Sequence, residues 1–230
     1  MKTRISLFIL AASLFSITTN AQQGNVFLRG GLNMANVSVT SDGRIDDAKY
    51  LPSFNVGIVG DVPLGRFLAL QPGLLFTGKG TKSQSGQPSD ATYFKATSNP
   101  YYIEIPLNLV IKLPVAPHSS LFFGAGPYAA MGVAGKNKTE GKVFGASFSS
   151  NENIKWSNDD PTTFNEQEGA GFGVMRRFDF GLNGVAGLEL RNIMLSVNYG
   201  YGLSKINSVE NNDNDKNKHR VLSFNIGFKL

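Results

Sequence analysis

Apolar and polar side chains alternate along eight separate segments of this chain. Successive side chains of a β-strand point to opposite faces, so strict alternation indicates a strand with one apolar and one polar face. The clearest case is the segment 101–113, in which Ile103, Leu107 and Ile111 alternate with polar residues such as Glu104. The pattern predicts an all-β chain. The eight predicted strands are residues 26–34, 54–62, 68–79, 101–113, 121–133, 175–190, 195–203 and 221–230.

The connectors between the predicted strands alternate between short and long. In an up-and-down barrel this order places every short turn at one rim and every long loop at the other. Outer-membrane barrels have short periplasmic turns, long extracellular loops and an even number of strands. We therefore predict an eight-stranded antiparallel up-and-down transmembrane β-barrel with both termini on the periplasmic side. The short links are residues 63–66, 114–120 and 191–193, and the long links are residues 37–53, 80–100, 134–170 and 204–220.

The long links are poor in apolar residues and rich in Asn, Asp, Ser, Lys and Gly. We expect them to be solvated and mobile rather than folded. The link 134–170 contains Trp156, the only tryptophan of the chain, and has room for a short extra hairpin.

The start of the chain has the three parts of a secretory signal peptide. Lys2 and Arg4 precede an apolar stretch, and small and polar residues follow it up to Ala21. The apolar stretch is shorter than the roughly 20 residues that a membrane-spanning helix needs. We expect cleavage after Ala21, which divides the chain into a signal peptide, 1–21, and one barrel domain, 22–230.

Composition narrows the class of protein further. The absence of cysteine excludes disulfides, thiolate metal sites and a lipid anchor on an N-terminal cysteine. No later segment supplies the roughly 18 apolar residues of a transmembrane helix. Cleavage removes two of the 22 basic residues, so the mature charge is 20 − 17 = +3, too small an excess to indicate nucleic-acid binding. An exported chain of this kind is either soluble outside the cytoplasm or integral to the outer membrane.

Alternation alone does not say which face points outward, since a soluble lipocalin-like barrel would hold its apolar face inside. Two features favour lipid outside. The polar face is dominated by Gly, Asn and Ser with single charges, which suits a crowded narrow lumen. Aromatic residues also gather near both predicted rims, as interfacial girdles do. The predicted girdle residues are Tyr101, Tyr102, Tyr199 and Tyr201 at the outer rim and Phe122, Phe123 and Phe228 at the other.

Five short motifs are spread over nearly the whole mature chain. They are residues 71–74 (QPGL), 102–107 (YIEIPL), 177–181 (RFDFG), 199–203 (YGYGL) and 223–228 (SFNIGF). These motifs resemble those of the PorT-like outer-membrane β-barrel proteins. The resemblance implies an eight-stranded barrel in the outer membrane. Some members of that family accompany type IX secretion, and most have no assigned activity.

The lumen of an eight-stranded barrel is filled by side chains, so we do not expect a wide pore. Charged residues on the polar face must neutralise one another there, because an unpaired charge in the lumen is costly. We predict that Glu104 pairs with Arg29 or Arg177. The charged residues of this predicted lumen network are Arg29, Glu104, Lys112, Arg177, Asp179 and Glu189.

Candidate catalytic residues are few, since the chain has two histidines. His118 falls in a predicted periplasmic turn and His219 at the mouth of the last strand, where we expect a solvated side chain. We predict no catalytic residue, metal site or cofactor. The leading hypothesis is a non-enzymatic barrel in outer-membrane lipid with a structural or interaction role. Either its extracellular loops bind a partner outside the cell, or its periplasmic rim docks an envelope or secretion-system protein. The alternatives are a lipid-modifying enzyme that pairs His219 with Ser204, and a soluble binder of apolar ligands.

Overall fold

A computed structural model describes residues 24–38, 50–143, 145–157, 174–204, 206 and 218–230. Twelve strands are present in these ranges. The expected signal peptide, residues 1–21, lies outside them, so its cleavage stays a prediction. The strands are β1 Asn25–Ser38, β2 Leu51–Pro63, β3 Leu68–Gly78, β4 Thr81–Ser85, β5 Thr92–Ala116, β6 Ser119–Val143, β7 Ala146–Asn153, β8 Lys155–Ser157, β9 Val174–Arg176, β10 Phe178–Leu190, β11 Ile193–Gly202 and β12 Lys218–Lys229.

Eight of these strands form a closed ring. The hydrogen-bonded order is β5-β3-β2-β1-β12-β11-β10-β6, and β6 pairs back onto β5. Every pairing in the ring is antiparallel. Each predicted strand corresponds to one ring strand, so the predicted eight-stranded antiparallel barrel is confirmed. Closure leaves no open strand edge in the ring, which is what hydrocarbon surroundings require.

The apolar faces of the ring strands point outward. On β5, Ile103, Leu107 and Ile111 are 38%, 43% and 42% exposed, whereas Glu104 and Asn108 between them are buried in the lumen. The other ring strands repeat this arrangement, with outward Leu, Val, Ile and Phe residues. The predicted orientation is confirmed, and the alternative of a soluble barrel with an apolar ligand cavity is wrong.

Two of the predicted girdle residues point the other way. Tyr102 and Phe122 are 1% and 2% exposed and face the lumen. Each follows or precedes an outward aromatic neighbour, Tyr101 or Phe123, and adjacent strand residues must lie on opposite faces. The outer surface nevertheless carries an aromatic cluster near the long-loop rim, in which the Tyr101 ring stacks on Phe76 with centroids 5.3 Å apart.

The short connectors and the chain ends share one rim. Residues 64–67, 117–118 and 191–192 join β2 to β3, β5 to β6 and β10 to β11. His118 lies in the second of these turns, as predicted, with a φ of 60°. Phe27 near the start of β1 pairs with Lys229 at the end of β12. The short-turn rim is therefore the periplasmic one.

Two ring strands continue far beyond the opposite rim. β5 and β6 have 25 residues each, whereas the other ring strands have 10 to 14. Their extensions pair with β4 and β7 and form the sheet β4-β5-β6-β7, which we call the projecting sheet. It consists of β4, residues 92–99 of β5, residues 136–143 of β6, and β7.

The prediction that links 80–100 and 134–170 are solvated, unfolded loops is therefore wrong over much of their length. The sequence signal ends where apolar alternation ends, because both faces of the projecting sheet carry polar residues such as Ser, Thr and Asn. Backbone pairing holds such strands together even though their side chains give no period-two hydropathy pattern. Within the described ranges no helix is long and apolar enough to cross a membrane.

Candidate functional site

Three charged residues gather at the periplasmic end of the lumen. Lys112 Nζ lies 2.7 Å from Asp61 Oδ2 and also pairs with Glu189. Gln71 Nε2 donates to the other oxygen of Asp61 at 3.0 Å. We call Asp61, Lys112 and Glu189 the lower cluster. Each member lies a few residues from a short turn, so the cluster sits just inside the periplasmic mouth.

An apolar layer lies at the same end of the lumen as the lower cluster, since the register pairs Phe122 with Lys112 and Met194 with Glu189. Its members occupy lumen-facing positions on six strands and contact one another in a buried group. They were missed because the polar face was expected to be small and polar throughout. Phe and Val at positions of polar parity were the available signal. The layer consists of Phe27, Ala69, Val110, Phe122, Val185 and Met194.

Neutral amides cross the middle of the lumen. Asn55 Nδ2 donates to Asn33 Oδ1 at 2.7 Å and to Asn225 Oδ1 at 2.8 Å. Asn225 Nδ2 in turn donates to Asn198 Oδ1 at 2.9 Å, and Ser223 Oγ donates to Asn33 Oδ1 at 2.8 Å. These bonds link β1, β2, β11 and β12 through the interior. Polar side chains buried in this way fix the packing of the lumen because few alternative arrangements would satisfy them.

A second charged group lies toward the long-loop rim. We call its members, Arg29, Lys79, Glu104 and Asp179, the upper cluster. Lys79 is 3% exposed, and its Nζ lies 2.6 Å from Glu104 Oε2 and 2.8 Å from Asp179 Oδ2. Tyr128 donates its hydroxyl to Asp179 Oδ2 at 3.1 Å, and its ring lies under Lys79 Nζ at 3.9 Å. Buried Arg29 adds a second positive charge nearby. Two cations and two carboxylates make the upper lumen neutral.

The predicted lumen network is thus divided into two groups. Arg29, Glu104 and Asp179 lie in the upper lumen, and Lys112 and Glu189 belong to the lower cluster. The predicted partner of Glu104 was wrong, since Glu104 pairs with Lys79. The predicted network does not include Lys79, which directly follows β3. Whether the network carries a function stays a prediction.

Arg177 is the one predicted network residue outside the lumen. It is exposed, in the bend between β9 and β10. The prediction ran one strand through residues 175–190, but β9 turns aside to pair in parallel with β8, and the ring strand starts at Phe178. The backbone carbonyl of Arg177 accepts a hydrogen bond from Gly132 N at 2.7 Å, which holds the bend against β6.

The two histidines have different surroundings from those expected of catalytic groups. His219 is 2% exposed and faces the lumen, where its Nε2 lies 3.2 Å from the Tyr102 hydroxyl. The expectation of a solvated His219 was wrong because this residue has the same parity as Ser223 on β12. Ser204 donates its hydroxyl to Asp179. Among the described residues, no hydrogen bond joins Ser204 to His219, and no group of His, Asp or Glu is arranged to hold a metal ion.

The extracellular mouth of the lumen is capped by the chain that follows β7. The ring of Trp156 meets the Tyr102 ring edge-on, with centroids 5.4 Å apart. Gly132 leaves the space for this indole, since a Cβ at that position would collide with it. Ile154 packs with Met175 and Ile206 beside the indole. The extra hairpin predicted in the link 134–170 is present as the paired ends of β6 and β7, and Trp156 belongs to an apolar cap that follows it.

A small cavity remains between the amide layer and the upper cluster. Its volume is about 20 Å³, and it is lined by polar groups that include Arg29, Thr77, Lys79, Glu104 and Asn183. A cavity of this size and polarity holds about one water molecule. Over the described residues the lumen is filled, with the apolar layer below the cavity and the cap above it.

The projecting sheet has two unlike faces. Cross-strand register places Lys82, Lys95, Lys136, Lys138 and Lys142 on one face with Glu140, which gives 5 − 1 = +4 charges. We call this the basic face. Phe94, Val143 and Phe148 lie on the opposite face, each more than 40% exposed.

Glu140 is shared between two lysines of the basic face. Its Oε2 lies 3.0 Å from Lys95 Nζ, and its Oε1 pairs with Lys138. Hydrogen bonds from Lys138 and Lys95 lower the pKa of the Glu140 carboxyl below its usual value. The hydrogen bond to Glu140 also raises the pKa of Lys95. Glu140 and Lys95 therefore both stay charged at neutral pH.

The family model described as "Outer membrane protein beta-barrel domain" matches residues 20–208 of the chain. A search of curated proteins finds no match.

Several solved structures are similar to the chain in fold. The attachment invasion locus protein Ail of Yersinia pestis, solved with the heparin analogue sucrose octasulfate, is 17% identical, with 91% of this chain and 100% of that chain covered and a TM-score of 0.40. Neisserial surface protein A is 14% identical, with coverages of 89% and 97% and a TM-score of 0.39. The outer membrane protein OprG of Pseudomonas aeruginosa is 11% identical, with coverages of 90% and 96% and a TM-score of 0.40.

Proposed function

The chain belongs to the outer membrane protein β-barrel domain family, and from this membership we propose that it is a non-enzymatic barrel that holds a rigid sheet outside the cell for contact with another macromolecule. Its place is the outer membrane. The barrel anchors the chain there, and the projecting sheet carries the contact.

The observation that supports this proposal is the length of β5 and β6. A transmembrane strand needs about 9 to 11 residues, so 25 residues exceed the requirement more than twofold. The extra residues are paired with β4 and β7 on the long-loop side. Phe94 and Phe148 are exposed on one face of this sheet. A patch of apolar side chains that is exposed to water commonly marks a binding surface, which supports a contact role for the sheet.

The interior of the barrel supports neither transport nor catalysis. The cavity beside the upper cluster has a volume of about 20 Å³, which is too small for a solute. Ser204 and His219, the pair on which a lipid-modifying reaction would depend, bond to Asp179 and Tyr102 instead of to each other.

We also propose that the chain is a PorT-like barrel. This proposal rests on the motifs at 71–74, 102–107, 177–181, 199–203 and 223–228. Residues 102–107 and 177–181 include Tyr102, Glu104 and Asp179, which lie in the upper lumen. An envelope or secretion-system protein is accordingly one class of macromolecule that the projecting sheet would contact.

Photo-crosslinking in cells of the parent bacterium tests the proposal. A photoreactive phenylalanine analogue at Phe148 is expected to form adducts with a protein or polysaccharide. The same analogue at Phe228, which is equally exposed but lies on the lipid-facing barrel, serves as the matched control and is expected to form none.

A trimmed barrel gives the complementary arm. Short turns placed just above the pairs Thr81–Ser98 and Lys136–Asn153 remove both hairpins of the projecting sheet and leave the ring intact. The trimmed protein is expected to insert into the outer membrane normally. It is expected not to restore the wild-type phenotype of a strain from which the gene has been deleted. Full restoration, or adducts formed only from an analogue at Leu64 in a periplasmic turn, would contradict the proposal. A changed lipid profile in a strain carrying His219→Ala would favour an enzyme.

A further inference from the structure

We propose that the basic face of the projecting sheet binds the phosphate groups of anionic lipid headgroups in the outer leaflet, and so lays the sheet toward the membrane surface around the barrel. The inference rests on the proposed function in one respect, the extracellular position of the sheet.

The basic face continues the lipid-facing surface of the barrel. Asn99 Nδ2 donates to the Tyr101 hydroxyl at 2.9 Å, so the two side chains share a face. Tyr101 stacks on outward Phe76 in the aromatic cluster of the rim. Beyond Asn99 the same face of β5 leads to Lys95, which contacts Glu140 across the strand pair. A side chain of the basic face therefore points in the direction of the surrounding lipid.

A β-bulge puts the lysines of β6 on this face. Tyr101 pairs with Ala134 and Tyr102 pairs with Gly132, so Val133 is an extra residue in β6. Below the bulge, even-numbered residues of β6, such as Gly132, face the lumen. Above it, the even-numbered residues face outward, because one inserted residue exchanges the two faces. Without the bulge, the lysines at 136, 138 and 142 would continue the lumen face.

The lysines nearest the membrane lie at the height of the headgroups. Strand residues rise about 3.3 Å, and a tilt of roughly 45° gives about 2.4 Å of height per residue. Lys136 lies opposite Asn99, two positions above Tyr101, and Lys138 and Lys82 flank Thr97, four positions above it. Lys136 is therefore about 5 Å above the aromatic girdle, within an interfacial layer of roughly 5 to 8 Å, and Lys138 and Lys82 are about 9 Å above it, at the outer edge of that layer where a long lysine side chain still reaches it.

Charge and position together identify the ligand. Lys82 and Lys136 form no ion pair with any described residue, and the face carries an excess of four positive charges. Several ammonium groups at short spacing suit phosphate, to which lysine binds as a point charge. A soluble polyanion would be equally attracted by charge, but the lysines begin directly above the girdle and face the lipid. Headgroup phosphates are the anions that this position makes available.

Native mass spectrometry of the full barrel in neutral detergent tests the inference, with bisphosphorylated lipid A as the probe and the same lipid without phosphates as its control. Each lysine near an anionic surface contributes about a fivefold change in affinity. The triple variant Lys82→Gln, Lys136→Gln, Lys138→Gln is therefore expected to bind phosphorylated lipid A about 100-fold more weakly. The matched control removes three positive charges from the periplasmic rim, through Arg66→Gln, Arg191→Gln and Lys229→Gln, and is expected to bind like the parent.

Equal binding by the parent and the lysine variant would overturn the inference, as would a parent that does not distinguish the two lipids. So would binding of a sulfated oligosaccharide, and not of lipid A, that depends on the three lysines. Heat-modifiable migration in SDS gels confirms that each variant is folded. No macromolecular partner takes part in this assay, so a negative result leaves the crosslinking result at Phe148 unaffected. A negative crosslinking result likewise leaves the lipid-binding result unaffected.

Discussion

The lumen and the projecting sheet treat charge in opposite ways. In the lumen, Lys79 has two carboxylate partners, Glu104 and Asp179, and Lys112 has two of its own. In the projecting sheet, the face that carries five lysines has one carboxylate among the described residues, Glu140, which pairs with Lys95 and Lys138 only. A buried charge must be compensated where it stands, whereas a solvated charge can remain in excess. The lumen charges are therefore balanced inside the barrel, whereas the basic face keeps an excess of positive charge exposed to solvent.

Lys79→Met is expected to have the largest effect on stability. The change leaves Glu104 and Asp179 buried without their common cation, and removing one partner of a buried ion pair costs about 3–5 kcal/mol. Urea unfolding in detergent measures the loss. The matched variant Lys82→Met, on the exposed basic face, should unfold close to the parent. Equal free energies of unfolding for the two variants would mean that the buried lysine stabilises the protein no more than the exposed one.

Glu104→Gln is expected to lower the melting temperature by less than Lys79→Met. Lys79 keeps Asp179 as a partner, and a glutamine still accepts from Asn183, but one positive charge of the upper lumen loses its balance. A loss of about 1–3 kcal/mol follows from the weakened charged hydrogen bonds. Thermal unfolding in detergent checks this. An unchanged melting temperature would mean that the negative charge of Glu104 does not stabilise the barrel.

Gly132→Val tests the cap between the two regions. A side chain at this position collides with the Trp156 ring, so the indole must leave the mouth of the lumen. We expect a loss of about 1–3 kcal/mol, typical of overpacking, and a red shift of the tryptophan emission. The neighbouring change Ala134→Val, on an exposed outward position, is the control. An unshifted emission from the Gly132 variant would place Trp156 elsewhere.

Glu140→Gln is expected to have the smallest effect on stability. The carboxylate has a lowered pKa, so any stabilisation it supplies is present above the ordinary pKa of glutamate and is lost as the pH falls through the lower value of the folded state. Because both partners are solvated, we expect no measurable change in the unfolding midpoint at pH 7. NMR titration of the Glu140 carboxyl should report the lowered pKa, and a normal value would argue against the contacts with Lys95 and Lys138.

Hydropathy could predict the ring because lipid and lumen impose opposite polarities on adjacent residues. That rule placed Ile103 outward and Glu104 inward, and applied strictly it also places Tyr102 and His219 inside. It could not predict the projecting sheet, since strands solvated on both faces have no such contrast. The bulge at Val133 has no hydropathy signature either, and the partner of Glu104 depended on where β3 ends in three dimensions.

Quenching of tryptophan at positions 122 and 123 by lipid tests whether the apolar face of the barrel points outward. Phe122 is 2% exposed and Phe123 is 47% exposed. With Trp156 replaced by Phe, tryptophan is introduced at position 122 or at position 123, and quenching by brominated lipid is measured in reconstituted bilayers. We expect strong quenching of the Phe123→Trp emission and little quenching of the Phe122→Trp emission. Quenching of Phe122→Trp alone, or equal quenching of both, would contradict it.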